Sequence, residues 1–323
     1  MTVTLPDLAA LEAAAEVVYR HMPATPQHRW PLLAERYGCD VWVKHENHTP
    51  IAAFKLRGGL VYMDRLKRAE PDCRGVVTAT TGNHGQSIAL AARSLGLHPV
   101  LVCPTSTRIE KKRAMRAFGG ELVEHGEYFE DARAHAVDLA AARGLHMMES
   151  FHPWLFLGVA SYGLELLRAA PDLEAVYVPV GLGSGLCGLI SARDALGHRA
   201  RLIGVVPEGA PTYKLSFDAG HAVPTNRATK FVDSLINKVP NETALAIILN
   251  GAARFVTVSD ADVRAAMRHY YTDTHNVAEP GGAAALAALG RERERMAGCA
   301  VGVILTGANC DLADYVAILT GED

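Results

Sequence analysis

From residue 40 onward, short apolar runs alternate with stretches whose apolar positions recur at helical spacing. "DVWVKHE" (40–46) alternates at period two and reads as a strand. A helical pattern then starts at 54 and runs to about 68. It is followed by "GVVTA", a helix over about 83–95, "PVLVC", a helix over about 108–118, "ELVEH", a helix over about 127–143, and "HMME". Strands alternating with helices in this way predict a parallel sheet covered on both faces. A second series opens with a helix near 156–169 and continues through "AVYVPV" (175–180), a helix over about 185–196 and "RLIGVV" (201–206). Residues 209–250 carry only weak periodicity. "RFVTVS" (254–259), two helices, "AVGVIL" (300–305) and a closing helix complete the chain. Ser259 followed by Asp262 has the spacing of a capping box. The expected fold class is α/β: two doubly wound domains with mostly parallel sheets and a ligand cleft between them.

Composition narrows the partners. The 323 residues carry a net charge of −3 with 21% charged residues, so no basic surplus is available for nucleic acid. Hydrophobic residues reach 49%, but no run approaches the roughly 20 needed to span a bilayer. The opening "MTVTLPDLAALEAAAEVVYRHM" reads as an acidic amphipathic helix rather than an export signal. Six scattered cysteines without a CxxC pair, and histidines without zinc spacing, read as reduced thiols in a cytoplasmic protein with no metal site.

In open α/β folds ligands bind beyond the carboxyl ends of strands, and four loops at such places carry unusual residues. The loop "TTGNHGQ" (80–86) opens a helix with Thr80, Thr81, Gly82, Asn83 and His84, and is either a carboxylate cradle or an ordinary turn with a threonine cap. "PVGLGSGLCG" (179–188) presents Gly181, Leu182, Gly183, Ser184 and Gly185 at another helix start, suited to a phosphate. It also contains the dinucleotide pattern Gly183-x-Gly185-x-x-Gly188, with Glu208 about twenty residues on, so a NAD-binding Rossmann oxidoreductase competes at this point. In "LTGANCD" (305–311), Thr306 is a helix cap or a site residue. In "AEPGGAAALAAL" (278–289), Glu279 complements a helix dipole. Upstream, "TPIAAFKLRGG" (49–59) sets Lys55 behind two alanines and Phe54. A lysine buried without a partner loses its proton, which is a liability in a core and an asset for a nucleophile.

In this order and context the loops resemble the pyridoxal-phosphate enzymes of fold type II, the tryptophan synthase β-like fold, and within it the serine/threonine dehydratases and serine racemase. The likeness runs from about residue 25 to 320, with "AFKLRGG" for Ser-Phe-Lys-x-Arg-Gly and "TTGNHGQ" for Ser-Ser-Gly-Asn-His-Gly-Gln. "PVGLGSGLCG" stands for the glycine-rich phosphate loop and "LTGANCD" for Ser/Thr-Gly-Gly-Asn. The resemblance implies pyridoxal 5′-phosphate in the cleft, with Lys55 forming the Schiff base and Phe54 packed beside the ring. It puts Asn83 on the 3′-oxygen, Gly181 to Gly185 on the phosphate, and Thr306 at the pyridine nitrogen. Thr80 to His84 are then the substrate-binding residues. The implied domains are 1–49 plus 147–323 for the cofactor and 50–146 for the substrate. Arg57 reads as a structural or surface charge.

A neutral Thr306 in place of a carboxylate favours expulsion of a β-substituent over transamination. The implied reaction is therefore loss of water from a threonine- or serine-like β-hydroxy amino acid, giving a 2-oxo acid and ammonia. Lys55 is the expected general base and the cofactor phosphate the acid. Relatives resembling cysteine synthase tend to read Lys-Asp-Arg and Gly-Asn-Thr, which this chain lacks. Thr81 stands where racemases keep a second acid/base hydroxyl, so an amino-acid racemase is the alternative. Departures are Ala53 for serine, Leu182 for glycine, and Ala308 in the last motif. Val206 and Thr212 fall where racemases carry cation ligands, so no metal is expected. The β-substituent pocket is expected within 209–240. With no regulatory domain in view, the chain reads as a catabolic or broad-specificity homodimer.

Overall fold

The computed structural model describes residues 3–322. Among them the chain begins α1 (Leu8–Tyr19), β1 (Gln27–Arg29), α2 (Pro31–Tyr37), β2 (Asp40–His45), α3 (Lys55–Ala69), β3 (Gly75–Ala79), α4 (Asn83–Ser94) and β4 (His98–Cys103). It continues α5 (Ile109–Ala117), β5 (Glu121–Glu124), α6 (Phe129–Arg143), β6 (His146–Met147), α7 (Pro153–Ala169), β7 (Ala175–Pro179), α8 (Ser184–Leu196) and β8 (Arg201–Pro207). It closes with α9 (Thr212–Ala219), α10 (Glu242–Gly251), β9 (Arg254–Val258), α11 (Asp260–Thr274), α12 (Pro280–Arg291), β10 (Ala300–Leu305) and α13 (Leu312–Thr320).

Two sheets result, as the alternation predicts. One has the order β5-β4-β3-β6 and is parallel throughout; the other has the order β1-β2-β10-β7-β8-β9 and is parallel except at β1. The five-residue run "GVVTA" of β3 is buried along its whole length, as a central strand covered on both faces must be. In the larger sheet α8 carries the chain from β7 to β8, while β10 lies on the other side of β7. The crevice between the carboxyl ends of β7 and β10 is thus a topological switch point. It receives the glycine loop after β7 and the Thr306 loop after β10.

Three segments differ from expectation. Residues 23–39 contain β1 and α2, which are too short to show a period; α2 opens with Pro31 at its first turn. Helix α7 starts earlier than 156, because Pro153 occupies its first turn and His152 Nδ1 accepts from the Trp154 amide at 3.1 Å. Within 209–250, α9 and α10 flank an irregular path held by side-chain bonds to backbone. Ser216 Oγ there accepts from the Val223 amide at 3.0 Å, and Thr229 Oγ1 from the Phe231 amide at 3.2 Å. The capping box is present: Ser259 Oγ accepts from the Asp262 amide at 3.2 Å, and Asp262 Oδ2 from the Ser259 amide at 2.8 Å.

Arg57 is not a surface charge. It lies fully buried in the first turn of α3, the helix that begins at Lys55. Its Nε donates to Glu46 Oε2 at 2.7 Å, its Nη1 to Glu165 Oε1 at 2.6 Å and to Ser161 Oγ at 2.8 Å. Its Nη2 reaches Glu46 Oε1 at 3.0 Å, Glu165 Oε2 at 2.9 Å and Thr25 Oγ1 at 3.0 Å. Lys44, also fully buried, donates to Glu165 and to the Thr25 carbonyl at 2.7 Å. Two cations and two carboxylates thereby tie β2, α3 and α7 together with every guanidinium face occupied. Removing one member strands the others in low dielectric, which typically costs about 3–5 kcal/mol. R57M is expected to lose stability of that order in urea unfolding, whereas R68M on the exposed end of the same helix is expected to change it by less than about 0.5 kcal/mol.

Candidate active site

Lys55 is the first residue of α3, and the loop before it is clipped from both ends. Thr49 Oγ1 accepts from the Ala53 amide at 2.9 Å and donates to the Ala53 carbonyl at 2.8 Å. Across the switch point, the Phe54 amide donates to the Thr306 carbonyl at 3.0 Å, and the Ala308 amide to the Ala52 carbonyl at 2.9 Å. Ala52 takes a left-handed φ of 53°, which an alanine adopts only under such restraint. The result fixes the Lys55 backbone against the loop after β10. Among the described residues, its Nζ lies 5.3 Å from the Phe54 ring centre and has no hydrogen-bond acceptor. Burial pushes its pKa down to about 8, with Glu279 opposing the shift.

The loop after β7 is shaped for an anion. Gly183 stands at the N-cap of α8 with φ of 97°, where Ala244 Cβ would lie 3.0 Å from any added Cβ. The first helical donor is Cys187, bonding the Gly183 carbonyl at 2.9 Å. The amides of Ser184, Gly185 and Leu186 therefore have no partner within the helix. Two buried tyrosines turn the carbonyls away from this cradle: Tyr213 donates to Leu182 at 2.9 Å and Tyr162 to Gly185 at 2.7 Å. Tyr162 also meets Phe54 edge-on, at 6.4 Å between centroids, which joins the anion loop to the lysine loop.

The start of α4 is the third wall. Thr80 Oγ1 accepts from the Gly82 amide at 3.1 Å and the Gly85 amide at 2.9 Å, so its hydroxyl braces the loop from within. Thr81 is exposed at the mouth, and the amides of Asn83 and His84 begin the helix. Among the described residues, His84 Nε2 is buried without a partner, and burial, then the Lys55 charge, push the ring down to about 3. Asn83 Nδ2 donates to Glu279 Oε1 at 2.7 Å, while Asn83 Oδ1 accepts from Asn309 Nδ2 at 2.8 Å. Glu279 therefore does not serve α12 as a dipole partner alone: it makes no side-chain cap bond and reaches across to α4. Burial pushes its carboxyl up to about 7, against the opposing charge of Lys111. Lys111 of α5 lies over Gly82 and pairs with Asp233 at 3.4 Å. Thr306 is buried behind these groups.

A buried amine, an amide-lined anion cradle and a second helix start thus lie together at the switch point, and sequence comparison shows the family of the chain. Residues 18–307 match the family described as pyridoxal-phosphate dependent enzyme. The chain belongs to that family. It is 33% identical over 295 residues to the biosynthetic L-threonine dehydratase of Escherichia coli, matching 90% of this chain and 57% of that enzyme. The chain thus spans little more than half the length of that relative. It is 29% identical over 311 residues to the L-threo-3-hydroxyaspartate ammonia-lyase of Saccharomyces cerevisiae, covering 96% of this chain and 95% of that one. The structure of processed threonine deaminase isoform 2 from Solanum lycopersicum superposes with a TM-score of 0.89 at 29% identity, over 99% of this chain and 96% of that one.

The dinucleotide reading is set aside on the same grounds and by the geometry. Glu208 is held by Arg291 at 2.7 Å on the surface, and Gly188 faces α7, where the Ala160 nitrogen would lie 2.9 Å from an added Cβ. Its third glycine serves helix–helix contact. Val206 is buried and Thr212 Oγ1 bonds the Asn237 carbonyl. Sequence reasoning missed the roles of Glu279, Asn309, Lys111, Tyr162 and Tyr213. Only Glu279 and Asn309 lay inside quoted motifs.

The depressed lysine makes a prediction for the cofactor-free chain. Folding at pH 7 demands about 3 kcal/mol to hold or neutralise the Lys55 ammonium, from a shift of 10.5 to about 8. That cost is full below pH 8, shrinks as pH rises, and vanishes above 10.5. K55M is therefore expected to melt higher than the cofactor-free wild type at pH 7, by a margin that narrows toward pH 10.

Proposed function

We propose that this chain is a pyridoxal-phosphate dependent ammonia-lyase that removes water from a β-hydroxy amino acid, giving a 2-oxo acid and ammonia. The observation that carries it is the Lys55 amine, mostly buried, without an acceptor, and set between an anion cradle and a second helix start. The residues fit the cofactor. The amides of Gly183 to Gly185 and the Ser184 hydroxyl offer donors to a phosphate. Phe54 offers a ring face or edge, Asn83 an N–H for the 3′-oxygen, and Thr306 a neutral hydroxyl for the ring nitrogen. When bound, pyridoxal phosphate supplies an aldehyde for amines and a ring that withdraws electrons from the substrate α-carbon.

The chain's own groups do the rest. The Lys55 amine, neutral in a useful fraction near pH 8, is a nucleophile toward a carbonyl and a base toward the α-proton. The amides of Asn83 and His84, with the Thr81 hydroxyl, receive the substrate carboxylate. His84, held neutral, adds no charge beside the amine. Loss of the α-proton and the β-hydroxyl leaves an enamine, which water converts to the 2-oxo acid and ammonia. The similarity to the E. coli and yeast enzymes supports threonine and 3-hydroxyaspartate as first substrates, and serine joins them as the smallest β-hydroxy amino acid. The exposed Thr81 hydroxyl supports a second reading, proton return to the opposite face as in a racemase.

The proposal takes residues 1–49 plus 147–323 as the cofactor domain and 50–146 as the substrate domain. It includes a homodimer, by family likeness, and a cytoplasmic setting, supported by six unpaired cysteines. The test is a screen of β-hydroxy amino acids for 2-oxo acid and ammonia release by chain loaded with pyridoxal phosphate. At least one substrate is expected to react, and K55A is expected to slow it about 1000-fold or more. Absence of release from every substrate, with cofactor confirmed bound, defeats the dehydratase reading, and the opposite enantiomer as sole product establishes the racemase.

A further inference from the structure

The side-chain amide of Asn83 is locked in one orientation by a chain of bonds that begins at the backbone. The Ile51 carbonyl accepts from Asn309 Nδ2 at 2.9 Å, which fixes that nitrogen as the donor. The same Asn309 Nδ2 donates to Asn83 Oδ1 at 2.8 Å, so Asn83 must present oxygen there. On its other side Asn83 Nδ2 donates to Glu279 Oε1 at 2.7 Å. A flipped Asn83 would set two N–H donors against each other and two acceptor oxygens against each other. One Nδ2 hydrogen has its partner in Glu279, and the second stays free to bond a ligand oxygen.

Glu279 is placed for this task. It is buried, its amide donates to the Gly307 carbonyl at 3.0 Å, and a Cβ added at Gly307 would lie 2.4 Å from Glu279 Oε1 and displace the carboxylate. The charged and titratable groups around it are Lys111, Asp233 and Lys55, with Cys310 on the loop after β10. A buried carboxylate that cost this much desolvation for dipole compensation alone would be poorly spent.

Resting on the cofactor reading above, we propose that Glu279 is a positioning residue: with Asn309 it holds the Asn83 amide so that its free N–H meets the 3′-oxygen of pyridoxal phosphate. Glu279 acts on the 3′-oxygen through Asn83, so that contribution to cofactor binding disappears when Asn83 is gone, while the effect of its charge on Lys55 is read separately by E279Q.

The experiment is a double-mutant cycle on pyridoxal phosphate affinity, titrating the cofactor-free full-length chain with pyridoxal phosphate and following tryptophan fluorescence and the visible absorbance of the bound form. E279M keeps the volume and removes the buried charge, which favours folding. It is expected to weaken binding about tenfold in the wild-type background and less than about twofold in N83A. E279Q, whose Oε1 still accepts from Asn83, is expected to stay within about threefold of wild type. N309A, a second and independent anchor, is expected to show the same dependence on Asn83. Equal losses for E279M and N309A with and without Asn83 overturn the proposal while leaving the cofactor site intact. Wild-type chain that takes up no pyridoxal phosphate overturns the enzyme reading itself, and this proposal with it.

Discussion

Two cations enter the first turn of α3, and the protein treats them in opposite ways. Arg57 is given two carboxylates, a serine and a threonine, so that its charge is sealed and permanent. Lys55, two residues earlier, is given an aromatic ring and no acceptor among the described residues. The difference is what makes one a strut and the other a reagent. Because Arg57 anchors α3 to β2 and α7, the helix start cannot move to relieve Lys55 by letting in water or a counter-ion. Desolvation then outweighs the opposing charge of Glu279, and a base that water would hold protonated becomes available near neutral pH.

The same rigidity runs through the loops. Four of the five motif loops bond one another: Phe54 to Thr306, Ala52 to Ala308, Asn83 to both Glu279 and Asn309; the glycine loop after β7 joins them through Tyr162, which packs on Phe54. Backbone bonds dominate where the lysine loop meets the loop after β10, and side-chain bonds dominate where α4 meets them. The first kind fixes position to a fraction of an ångström; the second fixes which atom of an amide faces the cleft. A site that must discriminate orientation of a flat ring needs both.

Much of this was legible in the chain and some was not, for identifiable reasons. Strands such as β3 and β10 show as unbroken apolar runs because central parallel strands are buried on both faces, and the loops after them carry the unusual residues. Thr80 and Thr81 look interchangeable in sequence, yet one hydroxyl is consumed by the Gly82 and Gly85 amides and the other is exposed. Tyr162 and Tyr213 lie in ordinary helical patterns, and nothing local reveals that their hydroxyls meet the anion loop. Arg57 shows its partners only in three dimensions, since Glu165 lies 108 positions away. The stretch around Asp233 has no period because bonds from its side chains to backbone replace the ladders of regular structure.

Charge balance explains why a carboxylate as costly as Glu279 sits this deep. The atoms packed most closely on Gly181, Gly183 and Gly185 come from Ser234, Leu235, Ala244, Tyr213, Ile248, Tyr162, Phe54 and Pro179, and none is cationic. The amides and dipole of α8 are what the close packing around these glycines leaves facing an anion. Lys111 and Lys55 bring positive charge to this region, matched by Asp233 and Glu279. Without Glu279, Lys55 would lose the charge that opposes its desolvation, and its amine would be depressed further. The carboxylate thus serves two neighbours at once, holding an amide by geometry and an amine by field.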